Sequence, residues 1–476
     1  MKAYRPSRAR VKPQIARGVR PVDNLIAELT RILGPESVLA GDHARDRMPP
    51  GSKASALLLP RSTEEVSRAL ALCHAEGRPV VPQGGLTGLV GGAISGPDEV
   101  ALSLERMRRI EEVDTLNRSM TVEAGVPLQA AQEAAAEVGL MLPLDLGARG
   151  TATVGGNVST NAGGTRVLRF GMMREMVLGL EAVLADGTVL DARRKIIKNN
   201  TGYDIKHLFI GSEGTLGIVT RVVLRLRPLP RSQSTALVAI DDFGRVARFL
   251  SMMEMHLQSS LSSFEVMWRS FYELMTTPPA KGRAVLPKDH GYYVLVETLG
   301  GDQDRDDEDV AVALEKASDE GLVAHAVVAQ TSAQRRELWS LREDLDPLMR
   351  QKPIFAYDVS LPIDAMEGYV AEVERRLDDR FEDHRTFVFG HIADGNLHVV
   401  VCADDESAHD DVDAIVYGPL SLKTSSVSAE HGIGLFKKKH LALSRSEAEL
   451  AVMRALKKAL DPRGILNPGK IFDVPR

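Results

Sequence analysis

A chain of 476 residues exceeds what one hydrophobic core organises, so two or three domains are expected. With 44% hydrophobic and 26% charged residues, the composition excludes wholesale disorder and fibrous repeats, and a net charge of −6 excludes a general nucleic-acid binder. Two cysteines, Cys73 and Cys402, stand in unrelated contexts, which excludes a disulfide framework and predicts a reducing, cytoplasmic setting; no apolar run is long enough to cross a membrane, and no secretory core is expected at the N-terminus.

Seven basic residues, from Lys2 to Arg20, precede the first acid, Asp23, and Pro6, Pro13 and Pro21 interrupt them. A solvated arm is expected over 1–20, rather than a Ser-rich amphipathic transit peptide. Apolar residues recur at helical spacing over 22–33 and Gly34 closes that helix. A short buried strand at 56–59 follows, then Ser62 with Glu65 in a capping-box pattern opens a helix ending near Gly77. After a strand at 79–82 comes PQGGLTGLVGG, 82–92. This turn fits neither the G-x-x-x-x-G-K-[ST] phosphate loop nor the G-x-G-x-x-G dinucleotide fingerprint, so ATP hydrolysis and a Rossmann NAD site lose ground. What remains is a plain tight turn, or one whose backbone N–H groups wrap a diphosphate.

Strands are expected at 100–104 and 120–123, and a helix runs from Pro127 until Gly139 stops it. The stretch 146–171, LGARGTATVGGNVSTNAGGTRVLRFG, holds seven glycines, three arginines and no acid. Neither helical nor strand periodicity is sustained across it, yet Val154, Val158, Val167, Leu168 and Phe170 anchor it; glycines, hydroxyls and amides without a carboxylate suit a phosphate-bearing ligand. A hairpin is predicted over 176–192 about Asp186-Gly187, and a strand pair near Phe209 and over 216–226, with Glu213 among glycines between them.

Pro228 and Pro230 mark a domain boundary. Beyond it, strands at 235–240, 263–267, 292–297 and 324–329 alternate with helices to about 256, at 307–320 and at 333–349, which predicts an antiparallel sheet with helices on one face. The acidic run 301–309 reads as a solvated helix start. A helix ending before Asp461-Pro462 and the tight turn Asn467-Pro468-Gly469 predict a C-terminus docked on the first domain.

Three segments hold the ionisable candidates. In FGHIADGNLHVVV, 389–401, two strands flank the Asp394-Gly395-Asn396 turn, so His391 and His398 converge; a single such His is more often a satisfied core residue. In SAEHGIG, 428–434, Glu430 and His431 adjoin. Two His with one carboxylate form the open ligand set of a catalytic zinc or similar ion, which leaves His431 free as a base; the plainer reading is a capped loop with Glu430 in solvent. In LREDLDP, 341–347, Arg342 either binds a carboxylate through its guanidinium fork or is a surface charge.

PQGGLTGLVGG, LPLDLGARGTATVGGNVSTNAGG, GYDIKHLFIGSEGTLGIVT, HIADGNLH, SAEHGIG and LDPRGILNPGK occur in this order. Over about 20–475 the chain thereby resembles the FAD-linked D-2-hydroxy acid dehydrogenases of the vanillyl-alcohol oxidase/PCMH flavoprotein superfamily, most of all the D-2-hydroxyglutarate dehydrogenases. The resemblance implies an α+β fold: an arm at 1–20, a PCMH-type FAD-binding domain at 21–232, a cap at 233–424 whose antiparallel sheet is covered by helices, and a segment at 425–476 returning to the FAD domain. It implies that FAD is held by Pro82, Gln83, Gly84, Gly85, Leu86, Thr87, Gly88 and Leu89 in the first turn. In the central stretch and just before it the implied contacts are Pro143, Leu144, Asp145, Gly147, Gly150, Thr151, Thr153, Gly155, Gly156, Asn157, Ser159, Thr160, Asn161, Gly163 and Gly171. Glu213, Gly214, Ile218, Val219 and Asn467 complete them.

The resemblance further implies a divalent metal, zinc first, on His391, His398 and Glu430, with His431 as the catalytic base and Arg342 on the substrate carboxylate. Proton abstraction would accompany hydride transfer to a flavin that is not covalently tethered, since 82–92 and 141–170 contain no His or Cys. Leu86 stands where the family commonly has Asn, Ala356 replaces a lysine and Val400 an asparagine, with Lys352 nearby. D-2-hydroxyglutarate is the first-choice substrate, and D-lactate, glycolate or an apolar D-2-hydroxy acid the alternative. An electron-transfer flavoprotein, quinone or cytochrome is the expected acceptor, and a homodimer is compatible. Two more distant readings are an alkyl-dihydroxyacetone-phosphate synthase-like flavoenzyme, whose family has His-His where Glu430-His431 stands, and a non-catalytic flavin-binding subunit.

Overall fold

The computed structural model describes residues 22–403 and 405–474; the basic arm expected at 1–20 lies outside the described residues. Helix Val22–Leu33 buries Leu25, Leu29 and Leu33, as its 3.6-residue spacing requires. Helix Thr63–Glu76 starts on Ser62, whose hydroxyl accepts the Glu65 N–H, and ends on left-handed Gly77; the Glu65 carboxylate reaches back one residue further than a capping box, to the Arg61 N–H at 2.7 Å. These helices cover a four-stranded sheet in the order Val38–Ala40, Ala56–Leu58, Val100–Ser103, Val80–Gln83. The tail joins this layer. Ile465 and Leu466 lie in the same core, Val80 N–H donates to the Ile465 carbonyl, and Asn467 N–H donates to that of Val80. Within the C-terminal helix Glu447–Leu460, the buried Lys457 ammonium donates to the carbonyls of Thr215 and Leu466 and pairs with Asp461.

A second, antiparallel sheet runs Ile110–Asp114, Ser119–Glu123, Ile218–Arg225, Val177–Val183, Val189–Ala192. Its last two strands form the hairpin expected about Asp186-Gly187, with Gly187 at φ 88° and the Asp186 carboxylate accepting the Thr188 N–H. Phe209 departs from expectation: it ends the short helix Lys206–Phe209, because both edges of Ile218–Arg225 are already taken by other strands and the Phe209 ring instead plugs the core against Gly217. The central glycine stretch also differs. It winds into helices Val154–Thr160 and Val167–Phe170, the first capped by the Thr153 hydroxyl; a Cβ on Gly155 would press on Ala124, so glycine there serves close packing of helix on strand.

The third sheet has seven antiparallel strands, in the order His325–Val328, Ser232–Ile240, Tyr292–Gly300, Leu261–Trp268, His384–His391, Asn396–Ala403, Phe355–Ser360. Helices cover both its faces, not one. Ala236, Val238 and Ile240 pack under Phe243–Leu257, Gln303–Asp319, Ile363–Arg380 and His409–Tyr417, while Leu237 and Ala239 pack under Arg269–Thr276, Ser332–Glu343 and Asp346–Met349. Both alternating sets of each strand are apolar, so both need a cover. The helix expected at 333–349 is two helices, broken at Asp344 and Leu345 ahead of Pro347. The acidic run is the start of Gln303–Asp319, with Asp302 as its N-cap. Among the described residues no helix is long and apolar enough to cross a membrane.

Candidate active site

A cavity of about 860 Å³ opens between the glycine loops on one side and Glu343, Leu345, Glu430, His431 and Phe436 on the other. Its glycine wall is made by backbone pressed on backbone: a Cβ on Gly85 would overlap the Thr151 carbonyl, and one on Gly84 would come within 2.7 Å of the Thr153 hydroxyl. Leu86 takes the left-handed conformation, φ 58°, to turn this chain away. Most of the predicted cofactor positions line the cavity, from Pro82 to Leu89, Gly147, Thr153, Gly155 to Asn157, Ser159, Thr160, Gly163, Glu213, Gly214, Ile218, Val219 and Asn467.

Seven do not. Pro143 and Leu144 are buried behind the wall, Asp145 pairs with Arg149 and Arg166, and Gly150 and Thr151 build the turn that supports Gly85. Asn161 caps a helix end and holds the Arg174 N–H, and Gly171 turns the chain at φ 75°. Glu213 lines the cavity, but its carboxylate accepts the N–H groups of Ile433 (2.7 Å) and Gly434 (2.8 Å), so it is a strut to the 428–434 loop. Burial raises its carboxyl above the ordinary value, against those two N–H groups.

Asn157 and Asn467 line this cavity, and one buried amide atom of each, Asn157 Nδ2 and Asn467 Oδ1, has no protein partner. Buried polar atoms are nearly always paired, so this pair fits a ligand with both donors and acceptors. Together with the close glycine backbone, the wall fits a dinucleotide such as FAD. Phe436, Glu343 and Leu345 line the same cavity and were not expected. Glu343 and Leu345 come from the end of the Arg342 helix and the break beyond it, a position the sequence pattern assigned to continuous helix.

The ionisable wall, which meets the cavity through Glu430 and His431, is built on neighbouring strands. Gly395, at φ 86°, closes the hairpin that brings the His391 and His398 rings to 5.4 Å. His391 lies opposite Glu265 on Leu261–Trp268 and meets its carboxylate through Nδ1 at 2.6 Å. Arg342 donates from Nε to the same carboxylate at 2.9 Å, stacks over Phe389 at 4.6 Å, and brings Nη2 to 3.4 Å from His391 Nε2. Arg342 is therefore no surface charge, being 6% exposed. Burial would raise the Glu265 carboxyl, but His391 and Arg342 outweigh it and hold it below its ordinary value. Burial likewise pulls the His391 imidazole down, and Glu265 overrides it and lifts it to about 9. His398, pressed by burial and by the positive charge of His391 and Arg342, falls well below its ordinary value and stays neutral.

The 428–434 loop is held from beneath by Asp358, a residue no motif had marked. It lies opposite His398 on Phe355–Ser360, fully buried, and accepts from Asn396 Nδ2, Ser428 Oγ, the N–H groups of Glu430 and His431, and Lys437 Nζ. Burial opposes its charge, but Lys437, His431 and His398 hold the Asp358 carboxyl well below the usual carboxylate range.

Glu430 Oε1 stands 3.5 Å from His398 Nε2 and 3.7 Å from His431 Nε2. In this wall the ligand-capable atoms that fall within 4.8 Å of one another are those of Asp358, His398, Glu430 and His431; the predicted metal triad differs in containing His391, whose Nδ1 is engaged by Glu265 and whose ring faces Arg342. A neutral imidazole beside a carboxylate fits a divalent ion, whereas the Asp358 oxygens already accept five donors. Glu265 and Asp358 could have been found only by pairing residues far apart in the chain.

Residues 54–193 match the family described as FAD binding domain, and residues 229–471 match FAD linked oxidases, C-terminal domain. The chain is 40% identical over 426 residues to D-2-hydroxyglutarate dehydrogenase of Xanthomonas citri pv. viticola, covering 88% of this chain and 89% of that one. It is 39% identical over 419 residues to the mitochondrial D-2-hydroxyglutarate dehydrogenase of Bos taurus, covering 87% of this chain and 76% of that one. The structure of p-cresol methylhydroxylase with substrate bound superposes with a TM-score of 0.76 at 18% identity, over 95% of this chain and 97% of the other, which shows the PCMH-type fold. On these matches the chain belongs to the FAD-linked oxidoreductases of the D-2-hydroxy acid dehydrogenase family.

Proposed function

We propose that the protein oxidises a D-2-hydroxy acid to the 2-oxo acid, with D-2-hydroxyglutarate as first choice. The observation that carries this reading is the meeting of His391, His398, Glu430 and His431 at the edge of a glycine-walled cavity. FAD, held without a covalent bond by the glycine wall, supplies the two-electron acceptor, and a divalent ion on His391, His398 and Glu430, zinc first, supplies a Lewis acid. Glu265 supports that ligand set by orienting the His391 imidazole through Nδ1, with Nε2, now 3.4 Å from Arg342 Nη2, as the atom that would ligate. His431 takes the hydroxyl proton. Arg342, held by Glu265 through Nε, turns its other nitrogens to a substrate carboxylate.

The tail of the substrate is read from Ala356 and Val400, which face each other one same-face step along the strands from Asp358 and His398, about 7 Å away. An alanine and a buried valine offer no cation to a distal carboxylate, which is costly to desolvate alone. That pair supports D-lactate or an apolar D-2-hydroxy acid as the second reading, while Arg342 and the overall likeness to D-2-hydroxyglutarate dehydrogenases support the first. Electrons leave to an electron-transfer flavoprotein, quinone or cytochrome. The chain works in the reducing cytoplasm, as its two free, buried cysteines suit; the bovine relative's name is marked mitochondrial, and localisation of the tagged chain to mitochondria would overturn this reading.

The test is anaerobic bleaching of the flavin absorbance by D- and L-2-hydroxyglutarate, D- and L-lactate and longer apolar analogues. Bleaching by D-2-hydroxyglutarate is expected. Bleaching by D-lactate without D-2-hydroxyglutarate overturns the substrate choice, and bleaching by L-isomers alone overturns the stereochemistry. Acid precipitation is expected to leave the yellow colour in the supernatant.

A further inference from the structure

Phe436 lines the cavity, yet it is 56% exposed and belongs to none of the buried apolar clusters. Among the described residues no Tyr, Trp or second Phe lines that cavity. A single exposed phenyl ring is ordinary on a protein surface. What sets Phe436 apart is how firmly it is held. The Val90 carbonyl accepts the N–H groups of both Leu435 (2.9 Å) and Phe436 (3.2 Å), and Gly434, at φ 50°, lets the backbone come so close that a Cβ there would lie 2.2 Å from the same oxygen. The Glu213 carboxylate fixes the two residues before them through the Ile433 and Gly434 N–H groups. Gly91, at φ 72°, makes room for the ring itself: a Cβ there would stand 3.0 Å from Phe436 Cε1 and Cζ. One edge of the ring is thus braced on the first glycine turn, while more than half of its surface is left uncovered.

The place of Phe436 along the cavity follows from the chain. A flavin that accepts hydride must bring its reactive ring to Glu430 and His431, which line the same cavity. Phe436 stands five positions beyond His431, so even an extended chain would separate them by no more than about 17 Å. Left-handed turns at Gly432 (φ 84°) and Gly434 shorten that span. The isoalloxazine has two unlike ends: its dimethylbenzene end carries no polar atom, and its other rings carry nitrogens and carbonyls. An apolar ring therefore suits the first, and the ionisable pair suits the second.

We infer that Phe436 is a cofactor-positioning residue: its ring packs against the dimethylbenzene end of the flavin and sets how the isoalloxazine lies beside Glu430 and His431. The inference rests on the reading of this cavity as the FAD site with the reactive ring at its ionisable end.

Flavin fluorescence of the FAD-loaded protein is the direct probe. With no Tyr or Trp along the cavity, the unmodified protein is expected to fluoresce, and Phe436→Trp, which sets an electron-donating indole on the ring, is expected to lose most of that emission. Undiminished emission from FAD-loaded Phe436→Trp overturns the inference. Titration of the cofactor-stripped full chain gives the second measurement. Phe436→Ala is expected to weaken FAD and FMN alike by about 10-fold while ADP moves less than about twofold, with affinity restored in Phe436→Tyr but not in Phe436→Leu. A loss shared by FAD and ADP but not FMN would put the ring at the adenosine end and overturn the inference. So would unmodified affinity in Phe436→Ala shown folded by circular dichroism, or full affinity in Phe436→Leu, which would make the side chain an apolar cover without stacking. If the unmodified chain takes up no FAD, or no 2-hydroxy acid bleaches its flavin, the reading of the site fails instead, and the two failures are told apart.

Discussion

Gly85, on the wall of the cavity, and Glu265, in the buried ionisable cluster that reaches the cavity through Glu430 and His431, are constrained by different physics. At Gly85 the limit is volume: the Thr151 carbonyl occupies the place a side chain would take, and the wall around it carries few charges. At Glu265 the limit is charge: His391 and Arg342 are both within hydrogen-bond distance, all three are buried, and none is tolerable there without the others. The glycine wall should tolerate changes of polarity and fail on added atoms. The ionisable wall should tolerate small changes of volume and fail on a lost charge.

The largest effect is expected on the ionisable wall. His431→Ala removes the base and is expected to slow flavin reduction by about 100- to 10,000-fold, with FAD content unchanged, since His431 is not part of the glycine wall. Stopped-flow reduction and the flavin-to-protein absorbance ratio check both halves. Retained rates would mean that this wall organises the site without doing its proton chemistry.

Glu265→Gln keeps the volume and deletes the charge. It is expected to cost about 3 kcal/mol of stability by leaving buried Arg342 unpaired. In metal-stripped protein the pH dependence follows from the shifts. His391 is raised from 6.5 to about 9, so its share of the stability is complete below pH 6.5 and is lost as pH rises through 9. Glu265 is lowered from 4.5, so its share is complete above pH 4.5 and is lost on acidification below it. The gap between the parent and Glu265→Gln in urea unfolding is therefore widest between pH 4.5 and 6.5. A gap that grows above pH 7 would contradict the pairing.

The same contrast separates what could be read from the chain and what could not. The glycine wall is local: turn residues, Asp186-Gly187 and Asp394-Gly395-Asn396 announce themselves within a few positions, and the convergence of His391 with His398 follows from one hairpin. Glu265 reaches His391 across 126 residues and Asp358 reaches His431 across 73, and a buried acid in a strand looks like any other residue until its neighbours are known. Helix Ile363–Arg380 is not among the expected elements, and its start on Pro362 has no side-chain cap to announce it. Apolar neighbours predict a strand at Phe209, but both edges of Ile218–Arg225 are paired with other strands and the residue ends a short helix instead.

Gly85→Ala is the matching test of the other wall. One methyl group must displace the Thr151 backbone, at a cost of about 1–3 kcal/mol, and is expected to release FAD on gel filtration while the cap stays folded by circular dichroism. Gly88→Ala serves as control, since nothing lies within 4 Å of its would-be Cβ. Equal loss of FAD from both would show that the wall reads something other than volume.

The smallest effect sharpens the comparison most. Leu86 is a branched residue held at φ 58°, 44% exposed at the cavity rim, where left-handed backbone costs a non-glycine residue about 1 kcal/mol and asparagine less. If the wall works through its backbone alone, Leu86→Asn relieves that strain and leaves every backbone contact where it is. A gain of about 0.5–1 kcal/mol, seen as a later urea midpoint, is then expected with an unchanged Kd for FAD. A loss of FAD affinity would instead assign the Leu86 side chain a contact with the cofactor, and the glycine wall would no longer be a purely steric surface.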